Sequence, residues 1–401
     1  MRKLDLRSGT PVWLSYKSPK LVEENLTRNI STDVLIIGMG ISGAMAADLL
    51  TEAGHNVVLI DRRGATRGST SATTALIMSE IDVPLTHLSR MIGADMALRA
   101  WRRSRLAVAN LQERIFELKI ACDMETRPTL YVAGNVLMHA ALRKESQARS
   151  SAGLSARYLT SSELKAGFGI GRAGAILSHG NLTLNPIKLT AGLLSHARAR
   201  GAKFYAPEEA VEIRHGRNAV HVLSKSGYEI RARHIILATG YELLSPVKDD
   251  RHEVISTWVI ATSPQKSKLL WPTQALIWEA SEPYLYMRTT HDGRIICGGE
   301  DMEFQDEERR DALLENKTRR ISSKLKKLHP RIDAEPEFAW TGSFGTTKTG
   351  LPLIGPLPGK PRLFAIMGYG GNGITFSRIA AELARTHLSG RRDVDADIFR
   401  L

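Results

Sequence analysis

Cysteine is scarce in this chain of 401 residues, which contains only Cys122 and Cys297. The two lie far apart, and neither has a CxxC partner or a nearby histidine cluster, so the sequence predicts neither a disulfide framework nor a metal site. A reducing cytoplasm is the compartment that suits such a sequence best. Aromatic residues are also few, at 6%, but a hydrophobic content of 43% is enough for a substantial core.

The sequence also lacks an apolar stretch long enough to span a bilayer. The longest apolar run, residues 34–50, is broken by Asp48 and by glycines. Residues 1–20 are basic and contain neither an apolar core of signal-peptide length nor a small-residue cleavage pattern. We therefore expect no membrane span and a cytoplasmic location.

Acidic residues are outnumbered, since 55 Lys and Arg oppose 42 Asp and Glu, giving a formal net charge of +13. Such an excess attracts anions and is compatible with nucleic-acid binding. However, the densest basic groups, WRRSRL, SSKLKKLHPR and SGRRD, lie far apart in helix-like or loop stretches. We expect a solvated basic surface and no nucleic-acid partner.

Glycines are arranged three times as Gly-x-Gly-x-x-Gly, beginning at Gly38, Gly169 and Gly368. This spacing predicts a dinucleotide site only between a strand and a helix, with an acidic residue about 20 residues further on. The first copy meets every condition, because DVLIIG predicts a buried parallel strand, ISGAMAADLLTEAG a helix, and HNVVLID a second strand that ends at Asp61.

The positions in the first copy have separate physical roles. Gly38 permits the tight turn, Gly40 lets the backbone approach a diphosphate, and Gly43 allows the helix to pack closely, with helix N–H groups facing the anion.

The residues that follow extend this predicted site. Asp61 would accept hydrogen bonds from a ribose diol and repel a 2′-phosphate, although Arg62 and Arg63 weaken that repulsion. The hydroxyl-rich loop RGSTSATTALI, residues 67–77, either contacts the diphosphate or caps a helix.

The other two copies are interpreted differently. The middle one follows TSSELKAG, a predicted helix capped by Ser161 or Ser162, and no strand ending in an acid follows it, so we expect a loop. The third lies between a predicted strand, RLFAIMG, and a predicted helix, but only 11 residues follow Gly390. That is too few for another βαβ unit, so this loop is expected to contact the far end of a cofactor that the first motif holds.

Several further stretches follow the first motif and the hydroxyl-rich loop along the chain. In order, all of these stretches are DVLIIGMGISG…VVLID, residues 67–77, NPIKLTAGLLSHARARGA, IILATGYE, YLYMRTTHDGRIICGGED, TGLPLIG and GYGGNGI. In this order they resemble the D-amino-acid-oxidase-like FAD-dependent oxidoreductases, a superfamily that includes glycine oxidase, sarcosine oxidase and γ-glutamylputrescine oxidoreductase. The resemblance covers about residues 30–390, and the arm PVWLSY is most similar to the last-named group.

The fold expected from these patterns and the resemblance is α/β plus α+β. A discontinuous, Rossmann-like FAD-binding domain would be interwoven with a substrate domain built on a mostly antiparallel sheet. The expected ranges are 30–80, 150–250 and 340–390 for the FAD-binding domain, 81–149 and 251–339 for the substrate domain, and 1–29 for an N-terminal arm.

The resemblance implies FAD, with its diphosphate at the first motif, its ribose at Asp61, its adenine near Val211 and its pyrimidine side at the terminal motif. Members with covalent flavin attach it through a cysteine or histidine at set places, and this sequence has no clear equivalent, because Cys297 lies within a strand pattern. We therefore expect noncovalent FAD. The residues implied to contact it are Gly38, Gly40, Ile41, Ser42, Gly43, Asp61, Arg62, Arg63, Ser69, Thr70, Ser71, Val211, Ala238, Thr239, Gly240, Gly345, Gly370, Gly371, Asn372, Gly373 and Ile374.

The resemblance also implies the chemistry, which is hydride transfer from a carbon next to an amine nitrogen to flavin N5, giving an imine that water hydrolyses. The expected partners are a small-molecule amine or amino-acid substrate and oxygen or another electron acceptor. In glycine-oxidase-like members an arginine near the positions of Phe344 or Thr290 pairs with the substrate carboxylate. Its absence here disfavours a simple α-amino acid.

Four residues are candidates for the substrate side. Arg288 would supply a positive charge from a neighbouring position, or it is a structural strand-end arginine. Tyr286 and Trp340 would form walls of an amine pocket, or they pack in the core. Lys348 would lie near the flavin, where a cation helps oxygen to accept electrons, or it is a solvated surface lysine.

Alternative functions remain open at this point. One is a flavoenzyme that acts on modified tRNA, and another is an FAD-binding partner protein without turnover. A nicotinamide-dependent dehydrogenase agrees with the first motif but gives no account of the terminal strand–loop–helix unit.

Overall fold

The computed structural model describes residues 5–242, 244, 247 and 249–401. Its strands are, in chain order, β1 (Ile30–Ile37), β2 (Val57–Ile60), β3 (Leu76–Ile77), β4 (Glu125–Val132), β5 (Arg157–Thr160), β6 (Gly174–Thr183), β7 (Lys203–Tyr205), β8 (Ala210–His215), β9 (Val220–Ser224), β10 (Glu229–Leu237), β11 (Glu253–Thr262), β12 (Leu276–Glu279), β13 (Leu285–Thr289), β14 (Ile295–Met302), β15 (Pro336–Thr346), β16 (Leu353–Leu357) and β17 (Lys360–Met367). Its α-helices are α1 (Ile41–Glu52), α2 (Leu85–Ile92), α3 (Ala94–Glu117), α4 (His139–Ser151), α5 (Ser161–Phe168), α6 (Pro186–Ala199), α7 (Glu307–Ala312), α8 (Leu314–Leu328) and α9 (Gly373–Leu388).

The first sheet is mostly parallel and carries the first and the terminal glycine motifs. Its strand order is β16-β17-β10-β1-β2-β7, with the β8–β9 hairpin continuing from β10. β1 lies between β2 and β10 and is parallel to both, so that Ile36 is opposite Leu59 on one side and Ile236 on the other. All three side chains are buried, as expected of a parallel sheet that is covered on both faces.

The second sheet is mostly antiparallel, which confirms the predicted fold class. Its order is β15-β11-β14-β13-β12-β4-β6-β3, with β5 added against β6, and only the β12–β4 pair among these described strands is parallel. The predicted Asp292-Gly293 turn connects β13 to β14, and Gly293 adopts a φ of +84°, which glycine tolerates without strain.

The chain's last helix packs on its first one. α1 contacts both α6 and α9, and its inner face consists of small buried residues such as Ala44 and Ala47. Ser42 of α1 and Ser377 of α9 share a hydrogen bond of 2.8 Å between their hydroxyl oxygens. The terminal glycine motif therefore lies beside the first one, although about 330 residues separate them in the sequence.

Strand membership differs in part from the predicted domain ranges. β3, β5 and β6 belong to the antiparallel sheet, where β6 pairs with β4, although residues 30–80 and 150–250 were assigned to the FAD-binding domain. β15 also lies in that sheet, although it extends past residue 340. The chain thus crosses between the two sheets more often than the predicted domain ranges imply. The domain limits themselves stay a prediction.

Two simpler expectations concern membranes and disulfides. Over the described ranges, no helix combines the length and the apolar character needed to cross a bilayer. Cys122 and Cys297 are both buried and unbridged.

One buried histidine makes the fold sensitive to acid. His329 follows α8, and its ring stacks on Trp271 with ring centroids 4.8 Å apart. Desolvation, aided by the charge of Arg331, lowers the pKa of His329 to about 4. Since an unfolded histidine has a pKa of about 6.5, the unfolded chain binds the proton more tightly, and the free energy of unfolding must fall as the pH drops from about 6.5 to about 4.

We therefore predict that His329→Phe, which keeps an aromatic ring against Trp271 but removes the titration, flattens this acid dependence. Between pH 7 and pH 5 the wild-type protein should lose about 2 kcal/mol more stability than the variant. Denaturant unfolding at both pH values measures the difference, and equal losses would show that His329 is not the responsible group.

Candidate active site

A single deep cavity joins the two sheets and brings the first and last glycine motifs together. It runs from Asp61 and Ala210, at the end of the parallel sheet, past Gly40 to the terminal loop at Gly370 and the antiparallel sheet at Tyr286. The space between protein atoms within it is about 1750 Å3, its open mouth included.

The first glycine motif shapes the middle of this cavity. Gly38 has a φ of +115°, and a Cβ atom there would lie 2.2 Å from the carbonyl oxygen of Ala238. A Cβ on Gly43 would lie 1.9 Å from the Gly38 carbonyl oxygen, so only glycine lets α1 begin this close to β1. Gly40 precedes α1 without a side-chain cap, and Gly40, Ile41 and Ser42 line the cavity. An uncapped helix N-terminus of this kind favours an anion.

Asp61 lies at one end of the cavity, at the carboxyl end of β2, as predicted. One carboxylate oxygen accepts a hydrogen bond from the Met39 N–H at 2.8 Å, and the other accepts from the N–H groups of Arg63 at 2.7 Å and Gly64 at 3.0 Å. Three backbone donors fix this carboxylate in place. Its position is the one from which it would bind a ribose.

Arg62 and Arg63 line the same end of the cavity, but both are engaged by carboxylates. Each guanidinium pairs with Glu242, in the case of Arg63 with an N–O distance of 2.7 Å. Arg62 also contacts Glu209 at 3.4 Å. Because carboxylates surround these cations, a 2′-phosphate is disfavoured here, which agrees with the preference expected from Asp61.

The predicted hydroxyl-rich loop also reaches the cavity. Ser69 and Thr70 line it, and the Thr70 hydroxyl accepts a hydrogen bond of 3.0 Å from the Ile41 N–H at the start of α1. Ser71 is fully buried, and its hydroxyl donates to the Gly68 carbonyl oxygen at 3.1 Å, so it shapes the loop without being among the lining residues. Thr70 thus bonds to the start of a helix, as one of the two predicted roles requires, and the contact of this loop with a diphosphate stays a prediction.

On the strand side, the predicted residues 238–240 line the cavity, whereas Val211 does not. Glu209 and Ala210 supply the lining at that point, and the Val211 side chain is 62% exposed on β8. The reason is strand alternation, because neighbouring residues of a strand point to opposite faces.

The terminal loop is bonded to residues 78–82, which follow the hydroxyl-rich loop. The Thr375 hydroxyl donates to the Met78 carbonyl oxygen at 2.9 Å, the Asn372 side-chain amide to the Glu80 carbonyl oxygen at 2.6 Å, and the Gly371 N–H to the Asp82 carboxylate at 2.8 Å. Of the predicted loop residues, Gly370, Gly371, Gly373 and Ile374 line the cavity. Asn372 is buried, and its hydrogen bond to Glu80 holds the loop in position.

Aromatic side chains of the antiparallel sheet close this end of the cavity, called here the ring end. Trp278, Tyr284 and Tyr286 line it. Burial raises the pKa of Tyr286, as does the nearby charge of Asp301, so its hydroxyl stays protonated and neutral. Trp278 is held by Tyr131, which stacks on it with ring centroids 3.9 Å apart.

Two carboxylates lie at the ring end. Asp82 lines the cavity and is accessible to water there, but protein atoms surround it closely enough that desolvation raises its pKa. Asp301 accepts a hydrogen bond of 2.6 Å from the Tyr284 hydroxyl, and burial raises the pKa of Asp301 to about 6.

Arg288 and Trp340, predicted for the substrate side, lie behind the cavity wall instead. The Trp340 indole N–H donates to the Ala72 carbonyl oxygen at 2.8 Å, and Arg288 donates to the Ala75 and Leu184 carbonyl oxygens at 2.7 and 3.0 Å. Neither side chain is among the residues that line the cavity. Both hold residues 72–75, part of which forms the wall.

A third side chain, Trp13 of the N-terminal arm, completes this support. Its indole N–H donates to the Thr73 carbonyl oxygen at 2.6 Å, and its ring lies 5.3 Å from the Arg288 guanidinium carbon. Trp13, Arg288 and Trp340 are all buried, and together we call them the rear clamp. Desolvation lowers the pKa of Arg288 to about 9, so it is still mostly charged at neutral pH.

Two further predicted residues do not reach the cavity. Lys348 is exposed in the turn after β15, and Gly345 lies inside β15, where a Cβ would clash with the His252 ring at 2.1 Å. The role predicted for each stays a prediction.

The middle glycine motif is a loop, as predicted, and lies outside the cavity lining. It begins at Gly169, which ends α5 in the left-handed conformation. The predicted cap was one residue or more too late, because Thr160 caps α5 through a reciprocal pair with Glu163. The Thr-x-x-Glu spacing of a capping box is the pattern that identifies it.

The sequence patterns did not single out Trp13, Asp82, Trp278, Tyr284 or Glu242. Trp13 and Trp278 are isolated aromatic residues in their segments, and Asp82 follows the strand by a few residues without a motif. Glu242 was detectable only as an acidic residue just past the predicted strand HIILATG.

The described residues fit FAD. Glycines keep the cavity free of side chains at the uncapped helix start, a fixed carboxylate lies at one end, and an uncharged aromatic wall lies at the other. FAD has a diphosphate between a ribose and a large flat ring. The helix start suits the diphosphate, the carboxylate suits the ribose, and the aromatic wall suits the ring.

Comparison with known proteins supports this fit. The family model DAO, described as FAD dependent oxidoreductase, matches residues 33–386. The chain is 25% identical to γ-glutamylputrescine oxidoreductase of Escherichia coli strain K12 over 92% of this chain and 86% of that protein. Among solved structures, glycine oxidase from Geobacillus kaustophilus matches with a TM-score of 0.75, 19% identity and coverage of 91% of this chain and 96% of that one. L-proline dehydrogenase from P. horikoshii matches with a TM-score of 0.78, 17% identity and coverage of 93% and 97%.

The first prediction for the site concerns which glycine motif holds the cofactor. Gly43→Ala places a methyl group against the Gly38 carbonyl oxygen, so we expect loss of bound FAD from the purified protein. Gly171→Ala in the middle motif meets no atom within 4 Å and serves as the matched control. FAD released by denaturation is measured by absorbance, and equal FAD content in both variants would contradict the assignment.

The second concerns the rear clamp. Trp13→Phe keeps the ring but leaves the Thr73 carbonyl oxygen without its indole donor, a loss of about 1 kcal/mol. We expect this loss to relax the cavity wall and to raise the Kd for FAD by up to roughly fivefold. Trp271→Phe, which removes a 2.8 Å indole bond to the Ala275 carbonyl oxygen elsewhere, is the control. Similar FAD affinity in the two variants, measured by fluorescence titration of the apoprotein, would mean that the clamp does not act on the site.

Proposed function

From the premise that the chain belongs to the DAO family of FAD-dependent oxidoreductases, we propose that it oxidises a C–N bond of an amine or amino-acid derivative. FAD is the cofactor of this family and is bound noncovalently. The product of the oxidation is an imine, which water hydrolyses to a carbonyl compound and an amine or ammonia.

The observation that carries this proposal is the continuity of the cavity. It joins the first glycine motif, which suits a diphosphate, to the ring end, where Trp278, Tyr284 and Tyr286 leave room for a small organic molecule. When bound, FAD accepts the hydride that leaves the carbon next to the amine nitrogen. The protein's contribution is to align that carbon and to keep bulk water away from it.

The residues of the ring end supply this alignment. Tyr286 presents a neutral hydroxyl to the cavity. A Cβ atom on Gly298 would lie 2.4 Å from the Tyr286 hydroxyl oxygen, so the glycine provides the space that the Tyr286 side chain occupies. Tyr284 is oriented by its hydrogen bond to Asp301. Val259 and Phe344 add apolar surface to the lining. A neutral amine binds such a surface without losing strong hydration.

A simple α-amino acid is not the substrate that these surroundings favour. The carboxylate of such a substrate needs a cation, preferably a bidentate arginine. Arg288 is engaged by backbone carbonyl oxygens behind the wall, and Thr290 is buried with its hydroxyl bonded to Asp292. An amine, or an amino-acid derivative oxidised away from its carboxylate, agrees better with the lining.

The electron acceptor is proposed to be oxygen or another oxidant. Lys348 was the candidate to assist oxygen, and its exposed position outside the lining gives it no special support. A cytoplasmic location is likewise proposed from the sequence alone.

A tRNA-modifying role finds little support in the basic clusters. Arg103 pairs with Glu382 at 2.9 Å inside the protein, and the Lys326 ammonium donates to the Ile332 carbonyl oxygen at 2.7 Å. Each of these two cations is already engaged within the fold, which reduces the charge that their clusters offer to a polyanion.

The proposal predicts that the purified protein is yellow and that a suitable amine bleaches its absorbance near 450 nm, roughly the wavelength expected of oxidised flavin, without oxygen. Primary, secondary and N-methyl amines form the anaerobic panel. Bound FAD that no member of a broad panel reduces, with a stable partner protein copurifying, would favour the partner role instead. A colourless protein that gains no FAD on reconstitution would refute the assignment altogether.

A further inference from the structure

We propose that the ring end of the cavity selects amines that carry a second positive charge and no carboxylate, with Asp82 as the group that recognises the charge. The inference rests on the proposed function and adds a substrate class to it. An aliphatic diamine is the simplest molecule of that class.

The first argument is the charge of the lining. Among the described residues that line the ring end, Asp82 is the charged one, and its neighbours there are aromatic, aliphatic or hydroxyl side chains. The Gly371 N–H donates to one of its carboxylate oxygens at 2.8 Å, which fixes the carboxylate and leaves its charge facing the cavity. Desolvation raises the pKa of Asp82, which means that burial disfavours the charged carboxylate. An ammonium ion bound beside Asp82 would stabilise that charged form.

The second argument is a further carboxylate behind the aromatic wall. One carboxylate oxygen of Asp301 accepts a hydrogen bond from the Tyr284 hydroxyl. The other oxygen is buried and has no hydrogen-bond partner among the described residues. The negative charge of Asp82 contributes to the raised pKa of Asp301, so the two carboxylates lie within electrostatic reach of each other. The neighbouring cations Lys317 and Lys324 are paired with Glu300. The charge of Asp301 thus adds to that of Asp82, and no described cation lines the ring end.

The third argument is the aromatic wall itself. Trp278 is held in place by its stack on Tyr131, and the rings of Tyr284 and Tyr286 lie 5.7 Å apart. Aromatic faces attract ammonium ions, and they do so more strongly when water is excluded. A carboxylate and several rings around one cavity form a setting in which an alkylammonium group is stabilised.

The arginines cannot reverse this preference from where they lie. Arg62 and Arg63 line the opposite end of the cavity and pair with Glu242. Arg288 donates to carbonyl oxygens behind the wall. A substrate carboxylate at the ring end would therefore meet the negative charge of Asp82 and no described cation.

A series of four-carbon amines tests the proposal on the FAD-loaded enzyme. 1,4-Diaminobutane, butylamine and 4-aminobutanoate share one amine end and four carbon atoms, and their other ends are an ammonium group, a methyl group and a carboxylate. We expect the rate of anaerobic flavin reduction per unit concentration to be at least about tenfold higher for the diamine than for butylamine, and lowest for 4-aminobutanoate.

Asp82→Asn identifies the residue responsible. Asparagine keeps the size of the side chain and an oxygen that accepts from Gly371, but it removes the charge. The diamine-to-butylamine ratio should fall to about one, while FAD content and the flavin spectrum stay as in the wild-type enzyme. Asp95→Asn, which alters a highly exposed side chain on α3, is the control and should leave the ratio unchanged.

Binding to the oxidised enzyme gives a readout that does not need turnover. Calorimetric titration without oxygen should show tighter binding of 1,4-diaminobutane than of butylamine in the wild-type protein but not in Asp82→Asn. If Asp82→Asn fails to retain FAD, Asp301→Asn replaces it, with a smaller decrease of the same ratio expected.

The outcomes separate the two claims. Equal binding of the diamine and butylamine, or a ratio that Asp82→Asn leaves unchanged, overturns the selectivity even when the enzyme oxidises amines. A preference for 4-aminobutanoate overturns it as well. Failure of every amine in the broad panel to reduce the flavin refutes the proposed function, whereas the binding titration still decides whether the ring end prefers dications.

Discussion

The packing of the last helix on the first one is the constraint from which the rest of the site follows. α9 lies against α1, and Ser377 bonds to Ser42. The loop before α9 and the first turn of α9 are tied to residues 78–82 by three hydrogen bonds. These contacts close the cavity at its ring end. Without them the first motif would be an ordinary dinucleotide unit with no wall opposite it, and the antiparallel sheet would have no fixed relation to the cofactor.

The first glycine motif could be predicted in detail because its chemistry is local. The strand, the tight turn and the helix occupy 23 consecutive residues, 30 to 52, and each glycine has a steric reason that spacing reveals. Asp61 was predictable for the same reason. The terminal loop was placed beside the cofactor by the resemblance, and its position relative to α1 agrees with that expectation.

The substrate side was harder because its residues come together only through sheet pairing. Arg288 and Trp340 were chosen for chemical type, and they share the sheet face of Tyr286 and Val259. However, both bond to carbonyl oxygens of residues 72–75, and this segment, not their side chains, forms the wall there. Asp82 belongs to no motif and becomes informative only once the terminal loop lies beside it. Ala210 lines the cavity and the Val211 side chain is exposed, so the adenine contact predicted for Val211 stays a prediction.

The account's central claim is that one cofactor is held by both ends of the chain, and a crystal structure of the FAD-loaded protein tests it most directly. The account predicts electron density for the diphosphate against residues 40–42 and for the flavin ring between residues 370–374 and the aromatic wall of Trp278, Tyr284 and Tyr286. Density for a ring that lies away from the terminal loop, or side chains that fill the space between the two motifs, would contradict it.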